Sequence, residues 1–474
     1  MKKVIASILL LIMIVTVCAS CGGSGGTDKT IRVWVGEESV VFYKKVCEEY
    51  LAEHPDFGFT IDVKGMDTGS IAGTIATDPK AAADIYTVAH DNIGKLAATQ
   101  CAKPIGDQAL INQVLSDNPE SFQNVVYSTL NGQKYLYGVP YISQALVLYY
   151  NKALVTEEQA ASFEGLREAA KAANTKAITV TGDDGYNMSF ALLATKVSDH
   201  STTVKIYENA DSAGGSKGTS NCQGDDTVAI MRWLQEFAED PNGFKWASPD
   251  GWDADLDKNN KGALAVISGA WNYNTAKAAL GETNLGITLI PTFTLTESSV
   301  EGLTGVSAGD VYRGGTFADC KCFMINANSA KEKYAKEQEL IMFLSSKEIQ
   351  NRSFLECLNV PAYVGASQFI EQCYKEGKVT ESQYSLAANQ VSMAEWGIPQ
   401  PFITGTLNTY YYSKNAPAVF RAIIDKTAYP TTGDVIIPET STLEGVRKAL
   451  YLVEYIWMHG QNPKSIPDAL PVSS

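Results

Sequence analysis

Short apolar strands alternate with amphipathic helices between residues 31 and 88, and this alternation constrains the fold more than any other feature of the sequence. Residues 31–35 alternate like a half-buried strand, and a helix that begins near Ser39 carries its apolar residues on one face. Two more strands are predicted at residues 60–63 and 84–88. Strands separated by helices at these spacings are typical of parallel pairing, so the sequence predicts an α/β fold.

The chain opens with a segment typical of an export signal. Lys2 and Lys3 form a positive start, and residues 4–18 form an apolar core that is too short to span a bilayer comfortably. We therefore predict a signal peptide at residues 1–20. Since no later stretch is long and apolar enough to cross a bilayer, the exported protein is not expected to span the membrane.

The predicted signal peptide ends at a candidate lipid attachment site. Residues 18–21 resemble the lipobox of bacterial lipoproteins, in which a lipid is attached to the last cysteine, here Cys21. Cys18 occupies a position where the lipobox usually has leucine. Glycine and serine follow, and we predict a flexible tether over residues 21–29. The expected location is the outer face of the bacterial cell membrane, held by lipid only; secretion without lipid remains an alternative.

Charge and cysteine content bound the function. With 38 Lys and Arg against 53 Asp and Glu, the net charge is −15, which lacks the cationic excess that nucleic acid binding needs. The seven cysteines after Cys21 are scattered and odd in number, unlike a disulfide framework. Cys320 and Cys322 share one face of a predicted strand, but no histidine or second cysteine pair nearby completes a metal site. We predict no metal and no cofactor.

Four segments of the chain, in order, carry a family resemblance. The first contains Ala89-His90-Asp91, and the second runs through a Tyr-Gly-Val-Pro motif to Tyr-Asn-Lys; the segments are residues 84–94, 137–152, 267–273 and 286–291. They resemble the corresponding parts of the maltose- and maltodextrin-binding proteins, which are extracellular solute-binding proteins of carbohydrate ABC transporters. The resemblance implies a two-lobed, periplasmic-binding-protein-like fold of type II, with a hinge and an interlobe ligand cleft.

The resemblance also implies how the chain is divided between the lobes. The N-terminal lobe is expected to contain residues 30–138 and 322–370. The C-terminal lobe is expected to contain residues 141–315 and 375–474. The chain would then cross between the lobes three times, and the first two crossovers would lie near the hinge.

Three ligand contacts follow from the resemblance. Glu38 lies near a position where the family has an acidic contact, and Asp91 matches a carboxylate that binds sugar hydroxyls. Trp271 matches an aromatic residue that stacks on a pyranose face. From the residues alone, two other roles stay open: Trp271 as core filler, and Asp91 as a cap of the helix that follows it.

The remaining expected contacts lie at less certain positions or differ from the family pattern. Tyr186 lies close to a second stacking aromatic, and Tyr411, in a run of three tyrosines, lies near a third. Gln144 is expected to contact the ligand where the family has glutamate. Val88 replaces a frequent tryptophan and Asn92 replaces arginine, so the sugar itself is not specified.

The function that the resemblance implies is capture of an oligosaccharide of the maltodextrin type by a monomer that delivers it to the permease subunits of an ABC importer. An enzyme is not expected, because the chain lacks the nucleophile elbow, the zinc-protease motif and the P-loop. Three alternatives remain open: a protein of the same fold for a non-sugar ligand such as a polyamine or metal chelate, a glycoside-acting enzyme, and a surface adhesin.

Overall fold

The computed structural model describes residues 29–182, 185–204, 221–248, 251–256, 262–398, 415–431, 435–459 and 461–471. Within these ranges the chain forms two α/β lobes, each built around one mixed sheet. The predicted signal peptide, Cys21 and Tyr411 lie outside the described residues. No helix in the described part of the chain is long and apolar enough to cross a membrane.

Sheet 1 forms the centre of the N-terminal lobe. Its order is β2-β1-β3-β16-β4, with β7 paired to the other end of β16. The first three strands are parallel, as the sequence predicted, whereas β16 runs antiparallel to its neighbours. The strands are β1 (Thr30–Gly36), β2 (Thr60–Met66), β3 (Ile85–Ala89), β4 (Ala102–Lys103), β7 (Val139–Gln144) and β16 (Asp319–Asn326); β5 (Tyr127–Leu130) and β6 (Gln133–Leu136) form a separate hairpin.

Sheet 2 forms the centre of the C-terminal lobe. Its order is β11-β9-β12-β8-β13, with parallel pairing from β11 to β12 and antiparallel pairing beyond. Every residue of β8 and β12 is buried, because helices cover both faces. The strands are β8 (Leu146–Asn151), β9 (Lys176–Val180), β11 (Phe244–Trp246), β12 (Ala263–Gly269) and β13 (Leu285–Thr288); smaller sheets contain β10 (Thr195–Lys196), β14 (Thr292–Thr294), β15 (Val311–Arg313), β17 (Tyr429–Pro430) and β18 (Ile436–Ile437).

The helices pack around the two sheets. Their bounds are α1 (Val40–Glu53), α2 (Thr68–Thr77), α3 (Ile93–Ala98), α4 (Gln108–Asp117), α5 (Glu120–Val125), α6 (Glu157–Ala160), α7 (Phe163–Ala173), α8 (Gly185–Met188), α9 (Asp225–Glu239), α10 (Trp252–Leu256), α11 (Tyr273–Leu280), α12 (Glu297–Val300), α13 (Tyr334–Leu344), α14 (Lys347–Cys357), α15 (Ala366–Lys375), α16 (Glu381–Trp396), α17 (Ala416–Asp425) and α18 (Leu443–His459). Short 3-10 turns occupy Glu37–Ser39, His90–Asn92, Ala270–Asn272 and Lys331–Lys333.

The chain leaves sheet 1 later than the sequence predicted. It also returns to sheet 1 earlier than predicted. β7 pairs with β16 in sheet 1 as far as Gln144, and the next strand, from Leu146, belongs to sheet 2. Residues 141–144, expected in the C-terminal lobe, therefore extend the first sheet. On the return, β16 begins at Asp319 rather than near 322. The Tyr-Gly-Val-Pro motif at 137–140 marked the approach to the crossover, but the backbone pairing of β7 and β8 determines where the crossover lies.

A third, smaller core lies beside the crossovers. It is formed by buried side chains of α14, α15 and α16, among them Phe354, Ile370 and Ala387. The segment that follows α14 is tied to β7, since the Ser143 N–H donates to the Val360 carbonyl at 2.8 Å. These helices therefore rest on the connection between the sheets.

Candidate functional site

The candidate site is a cavity of about 670 Å³ between the two sheets. The carboxyl ends of the parallel strands β1, β2 and β3 meet at one edge of sheet 1, and ligands of α/β proteins bind outside such edges. The turns after these strands bring Glu38, Asp67 and Asp91 to the cavity. The turn after β12 brings Trp271 to it from sheet 2. The cavity is thus lined by both lobes.

Asp91 is the buried carboxyl group of the N-terminal wall. It lies in the 3-10 turn between β3 and α3 and is only 3% exposed. Its Oδ1 accepts a hydrogen bond of 2.9 Å from the Asn92 amide. Burial, and secondly the negative charge of Asp319, raise the pKa of Asp91 well above the ordinary carboxyl range. A group held this way is ready to exchange protons or hydrogen bonds with a polar ligand.

Trp271 is the exposed aromatic of the C-terminal wall. Trp271 is 50% exposed, although it lies in the 3-10 turn that follows the fully buried strand β12. The indole lies over Gly269, where a Cβ atom would overlap the ring. The ring of Tyr186 stands 6.0 Å away, tilted by 57°. Glycine therefore leaves space for an indole that keeps a large area open to the cavity.

Glu38 lies at the rim of the cavity and pairs with Lys321. The Lys321 ammonium donates to Glu38 Oε1 at 3.2 Å. The Lys321 side chain is 10% exposed and that of Glu38 is 50% exposed, so the pair runs from the cavity wall towards solvent. The Glu38 carboxylate folds back over Gly36, where a Cβ would overlap it.

The floor of the cavity joins the two lobes through Asp319. The Tyr186 hydroxyl donates to Asp319 Oδ2 at 2.7 Å. His90 is fully buried behind this contact, with its Nδ1 atom 3.7 Å from Asp319 Oδ1 and 3.4 Å from the Cys320 N–H. Tyr186 belongs to α8 and Asp319 to β16, so this hydrogen bond links elements of the two lobes.

Gln144 and Gln390 complete the cavity beside the first crossover. Gln144 is the last residue of β7, directly opposite Asp319 in the sheet. Gln390 of α16 is almost completely buried and donates its amide N–H to the Ser143 carbonyl. Both side chains line the cavity.

The structure brings five of the six expected contact residues to one cavity, and the sixth, Tyr411, lies outside the described residues. The five are Glu38, Asp91, Gln144, Tyr186 and Trp271. The exposure of Trp271 rules out its alternative role as core filler. The cap alternative for Asp91 also fails, because the N-cap residue of α3 is Asn92.

Sequence reasoning missed Glu37, Asp67, Lys321 and above all Asp319. The signal for the last two was present: a charged residue at 319 and another at 321 interrupt an otherwise apolar strand. Buried charges are rare unless they are paired, so such residues mark a special environment.

Cys320 and Cys322 do lie on one face, with their sulfur atoms 3.6 Å apart, and both are fully buried. Burial is the largest cause that raises the pKa of the Cys320 thiol, which favours the neutral form. Among the described residues, no group of three or more His, Cys, Asp or Glu side chains is arranged to hold a metal ion.

Comparison with known proteins gives consistent results at the levels of sequence and fold. The model of a family described as bacterial extracellular solute-binding protein matches residues 45–363. A curated maltooligosaccharide ABC transporter solute-binding lipoprotein of Streptococcus pneumoniae (strain ATCC BAA-255 / R6) is 23% identical over 308 residues, which cover 61% of this chain and 67% of that protein.

Solved structures share the fold over nearly the whole chain. The maltodextrin-binding protein MalE1 from L. casei BL23, without ligand, superposes with a TM-score of 0.70 at 18% identity, covering 91% of this chain and 100% of that one. MalX from Streptococcus pneumoniae, in complex with maltopentaose, gives 0.61 at 17% identity, covering 91% and 99%. The two-lobed architecture with an interlobe cleft is therefore shared with these proteins.

Proposed function

Because the chain belongs to the bacterial extracellular solute-binding protein family, we propose that it binds an oligosaccharide of the maltodextrin type in its cleft and delivers it to the permease subunits of an ABC importer. The observation that carries the proposal is the placement of an exposed indole, Trp271, and a buried carboxyl group, Asp91, on opposite walls of one cavity. The N-terminal and C-terminal lobes supply one each.

This pairing suits the chemistry of a sugar. A pyranose ring presents weakly apolar C–H faces, which an aromatic ring covers, and hydroxyls, which carboxylates and amides fix. Trp271 and Tyr186 supply adjacent rings, and Asp91 and Gln144 supply polar groups. The cavity of about 670 Å³ falls within the usual range for small-molecule sites.

The named ligands of similar proteins support the same class. The curated relative is a maltooligosaccharide-binding lipoprotein, and one structural relative holds maltopentaose. Their low identity supplies no residue-level assignment for this chain. The contact residues are therefore part of the proposal and are tested by substitution.

A polyamine is the second candidate ligand, because carboxyl groups converge on the cavity more strongly than the sequence suggested. Among the described residues, the lining carries one ammonium group, that of Lys321, against the acidic side chains Glu37, Glu38, Asp67, Asp91 and Asp319. Two features reduce this excess of negative charge: Lys321 pairs with Glu38, and the raised pKa of Asp91 favours its neutral form. We therefore rank the neutral sugar first.

The deciding experiment is a thermal-shift screen of the purified mature protein against maltose, linear maltodextrins of increasing length, unrelated oligosaccharides, and spermidine. A ligand that binds only the folded state at a hundredfold excess over its dissociation constant stabilises it by about 2.7 kcal/mol. We expect maltodextrins to raise the melting temperature and spermidine to leave it unchanged. The opposite pattern would assign the polyamine, and no shift with any sugar would refute the sugar proposal.

Two variants locate the binding to the cleft. Trp271→Ala is expected to weaken the best sugar about tenfold or more in calorimetric titration, because it removes the aromatic surface that covers the sugar face. Tyr374→Ala is the matched control, since Tyr374 is an exposed aromatic of α15 outside the cavity. Chromatography of the recovered sugar tests the accompanying proposal that the protein is not an enzyme: the sugar should be unchanged.

We also propose that the mature protein is a monomer anchored by lipid at Cys21. The similar curated protein is a lipoprotein, and the Gly/Ser-rich residues after Cys21 suit a tether. Mass spectrometry of the N-terminal peptide should show a lipid adduct that Cys21→Ala abolishes, together with loss of the protein from the membrane fraction. Retention of the variant in that fraction without its signal peptide would contradict the anchor.

A further inference from the structure

We infer that Asp319 is a positioning residue of the cleft: it fixes Tyr186 of the C-terminal wall and lies beside Asp91 of the N-terminal wall, so it couples the two halves of the binding site. The inference rests on the proposed sugar-binding function and names a further determinant of the same site.

The backbone around Asp319 is fixed by contacts with both lobes. Asp319 begins β16 and lies opposite Gln144 of β7 in sheet 1. Just before it, Thr316 accepts the Leu146 N–H of β8 at 2.9 Å, and the Ala318 N–H donates to the Ile398 carbonyl at 2.7 Å. These bonds hold the second crossover in place, so the Asp319 carboxylate does not depend on a ligand for its position.

Through its hydrogen bond, Asp319 orients one of the two aromatic rings of the cavity. The phenol of Tyr186 donates to it at 2.7 Å, and carboxyl oxygens are strong acceptors of such bonds. The ring of Tyr186 is then held between Phe317, at 5.5 Å, and Trp271, at 6.0 Å. Loss of the bond frees the phenol to rotate, and the platform next to Trp271 loses its fixed angle.

Through its charge, Asp319 acts on the opposite wall. Its negative charge is the second cause, after burial, that raises the pKa of Asp91. The other titratable groups that line the cavity include Glu37, Glu38, Asp67, Lys321, Tyr186, Tyr273 and Cys357, and His90 lies in the same turn as Asp91. An ionised Asp91 accepts sugar hydroxyls most strongly. Sugar affinity should therefore rise with pH through the Asp91 titration, and removal of the Asp319 charge should move that midpoint to lower pH.

The first measurement needs no ligand. A double-mutant cycle with Tyr186→Phe and Asp319→Ala, followed by denaturant unfolding, reports whether the two side chains interact in the free protein. We expect the effects to be non-additive by about tenfold in the folding equilibrium constant, as a charge-assisted bond implies. Asp319→Asn, which keeps a hydrogen-bond acceptor, gives a second variant if Asp319→Ala fails to fold. Additive effects would overturn the inference whatever the ligand.

The second measurement uses the best maltodextrin from the thermal-shift screen. Its affinity is measured from pH 4 to pH 9 for the wild type, Asp319→Asn and Tyr186→Phe. We expect Tyr186→Phe to weaken binding severalfold with an unchanged midpoint, and Asp319→Asn to move the midpoint to lower pH. A purely structural role for Asp319 would not move the midpoint.

The matched control is Tyr50→Phe. Like Tyr186, Tyr50 has a hydroxyl that donates to a carboxylate, Glu339, at 2.8 Å, but the pair lies outside the cavity. This variant should leave both affinity and midpoint unchanged. If the wild type binds sugar and the Asp319 and Tyr186 variants behave like this control, the inference is wrong while the proposed function stands. If the cycle shows coupling but no sugar binds, the proposed function is wrong while the positioning contact stands.

Discussion

The two walls of the cleft have the same local architecture and present opposite chemistry. On each wall a buried strand ends in a 3-10 turn that leads into a helix: β3, His90–Asn92 and α3 on one side, β12, Ala270–Asn272 and α11 on the other. The N-terminal turn buries its cavity-lining side chain, Asp91, to 3% exposure, whereas the C-terminal turn leaves Trp271 50% exposed.

The difference follows from what each group needs in order to bind. A carboxyl group gains strength as a hydrogen-bond partner when it is desolvated and held by neighbours, at the expense of a shifted pKa. An indole contributes by covering an apolar face, which requires open surface. One backbone design therefore supplies a fixed polar anchor on one wall and a free apolar platform on the other.

The largest expected effect comes from removing both walls' contributions at once. Asp91 and Trp271 belong to different lobes, and the inferred link through Asp319 acts on Tyr186 rather than on Trp271, so their effects should add approximately. Each of Asp91→Ala and Trp271→Ala is expected to weaken the sugar about tenfold, and the double variant about a hundredfold. Titration calorimetry of the three variants, with circular dichroism of the free proteins, checks this. A double variant no weaker than either single variant would show that the walls do not act independently.

The position of the Trp271 ring can also be changed without substituting Trp271 itself. A methyl group at Gly269 would overlap the Trp271 ring, and the ring is the movable end of its side chain. Gly269→Ala should therefore displace the ring and weaken the sugar severalfold, while the fold persists. Gly73→Ala is the matched control, because no heavy atom lies within 4 Å of the added methyl. Unchanged affinity in Gly269→Ala would mean that the position of the indole is unimportant.

The buried anchor should lower stability at neutral pH. Because the pKa of Asp91 is raised in the folded protein, the folded state binds a proton that the unfolded state releases. The free energy of unfolding therefore falls as pH rises from the ordinary carboxyl range through the raised pKa. Asp91→Asn removes this loss, so it should melt above the wild type at neutral pH and approach it at low pH.

Thermal melts from pH 3 to pH 8 measure the stability difference between Asp91→Asn and the wild type. Glu381→Gln provides a control, since the Glu381 side chain is 71% exposed and lies outside the cavity. Its difference from the wild type should change little over the same range. A pH-independent difference for Asp91→Asn would mean that the carboxyl group is not strained by burial.

The smallest effect is expected at the rim. Gly36→Ala places a methyl group where the Glu38 carboxylate lies, so the pair with Lys321 should separate. A half-exposed ion pair contributes little, and we expect affinity to change by about threefold or less. Titration calorimetry of Gly36→Ala and Gly269→Ala side by side compares their losses of sugar affinity. A loss as large as that of Gly269→Ala would show that the rim contributes as much as the aromatic platform.

Local sequence patterns predicted where strands form better than they predicted which strands pair. Strands were predicted at residues 60–63, at residues 84–88 and around Cys320 and Cys322, and each overlaps an observed strand. That the last of these lies between β3 and β4 was not visible in the sequence, because no local pattern encodes pairing between residues so far apart. The crossover near Ala145 was misplaced for the same reason.

The residues of the candidate site were likewise predicted only in part. Asp91 and Trp271 were found because each lies within a short motif beside a strand end. Asp319 and Lys321 were missed because their importance comes from partners, Tyr186 and Glu38, that are remote in sequence. A charge inside an apolar strand was the one available signal, and it indicates a paired or functional group without naming its partner.

The position of β16 in the sequence also sets the order in which the two sheets can be completed. Sheet 2 is complete once the chain reaches Thr288, whereas sheet 1 lacks its central antiparallel strand until residues 319–326 are present. A chain that emerges from its N-terminus first therefore holds β1–β3 with an unpaired edge while the whole second sheet is still to come. Pairing over such long separations is slow and leaves strand edges open to aggregation. We therefore expect sheet 1, although it begins the chain, to be completed after sheet 2, whereas the core of the C-terminal lobe also awaits α17 and α18.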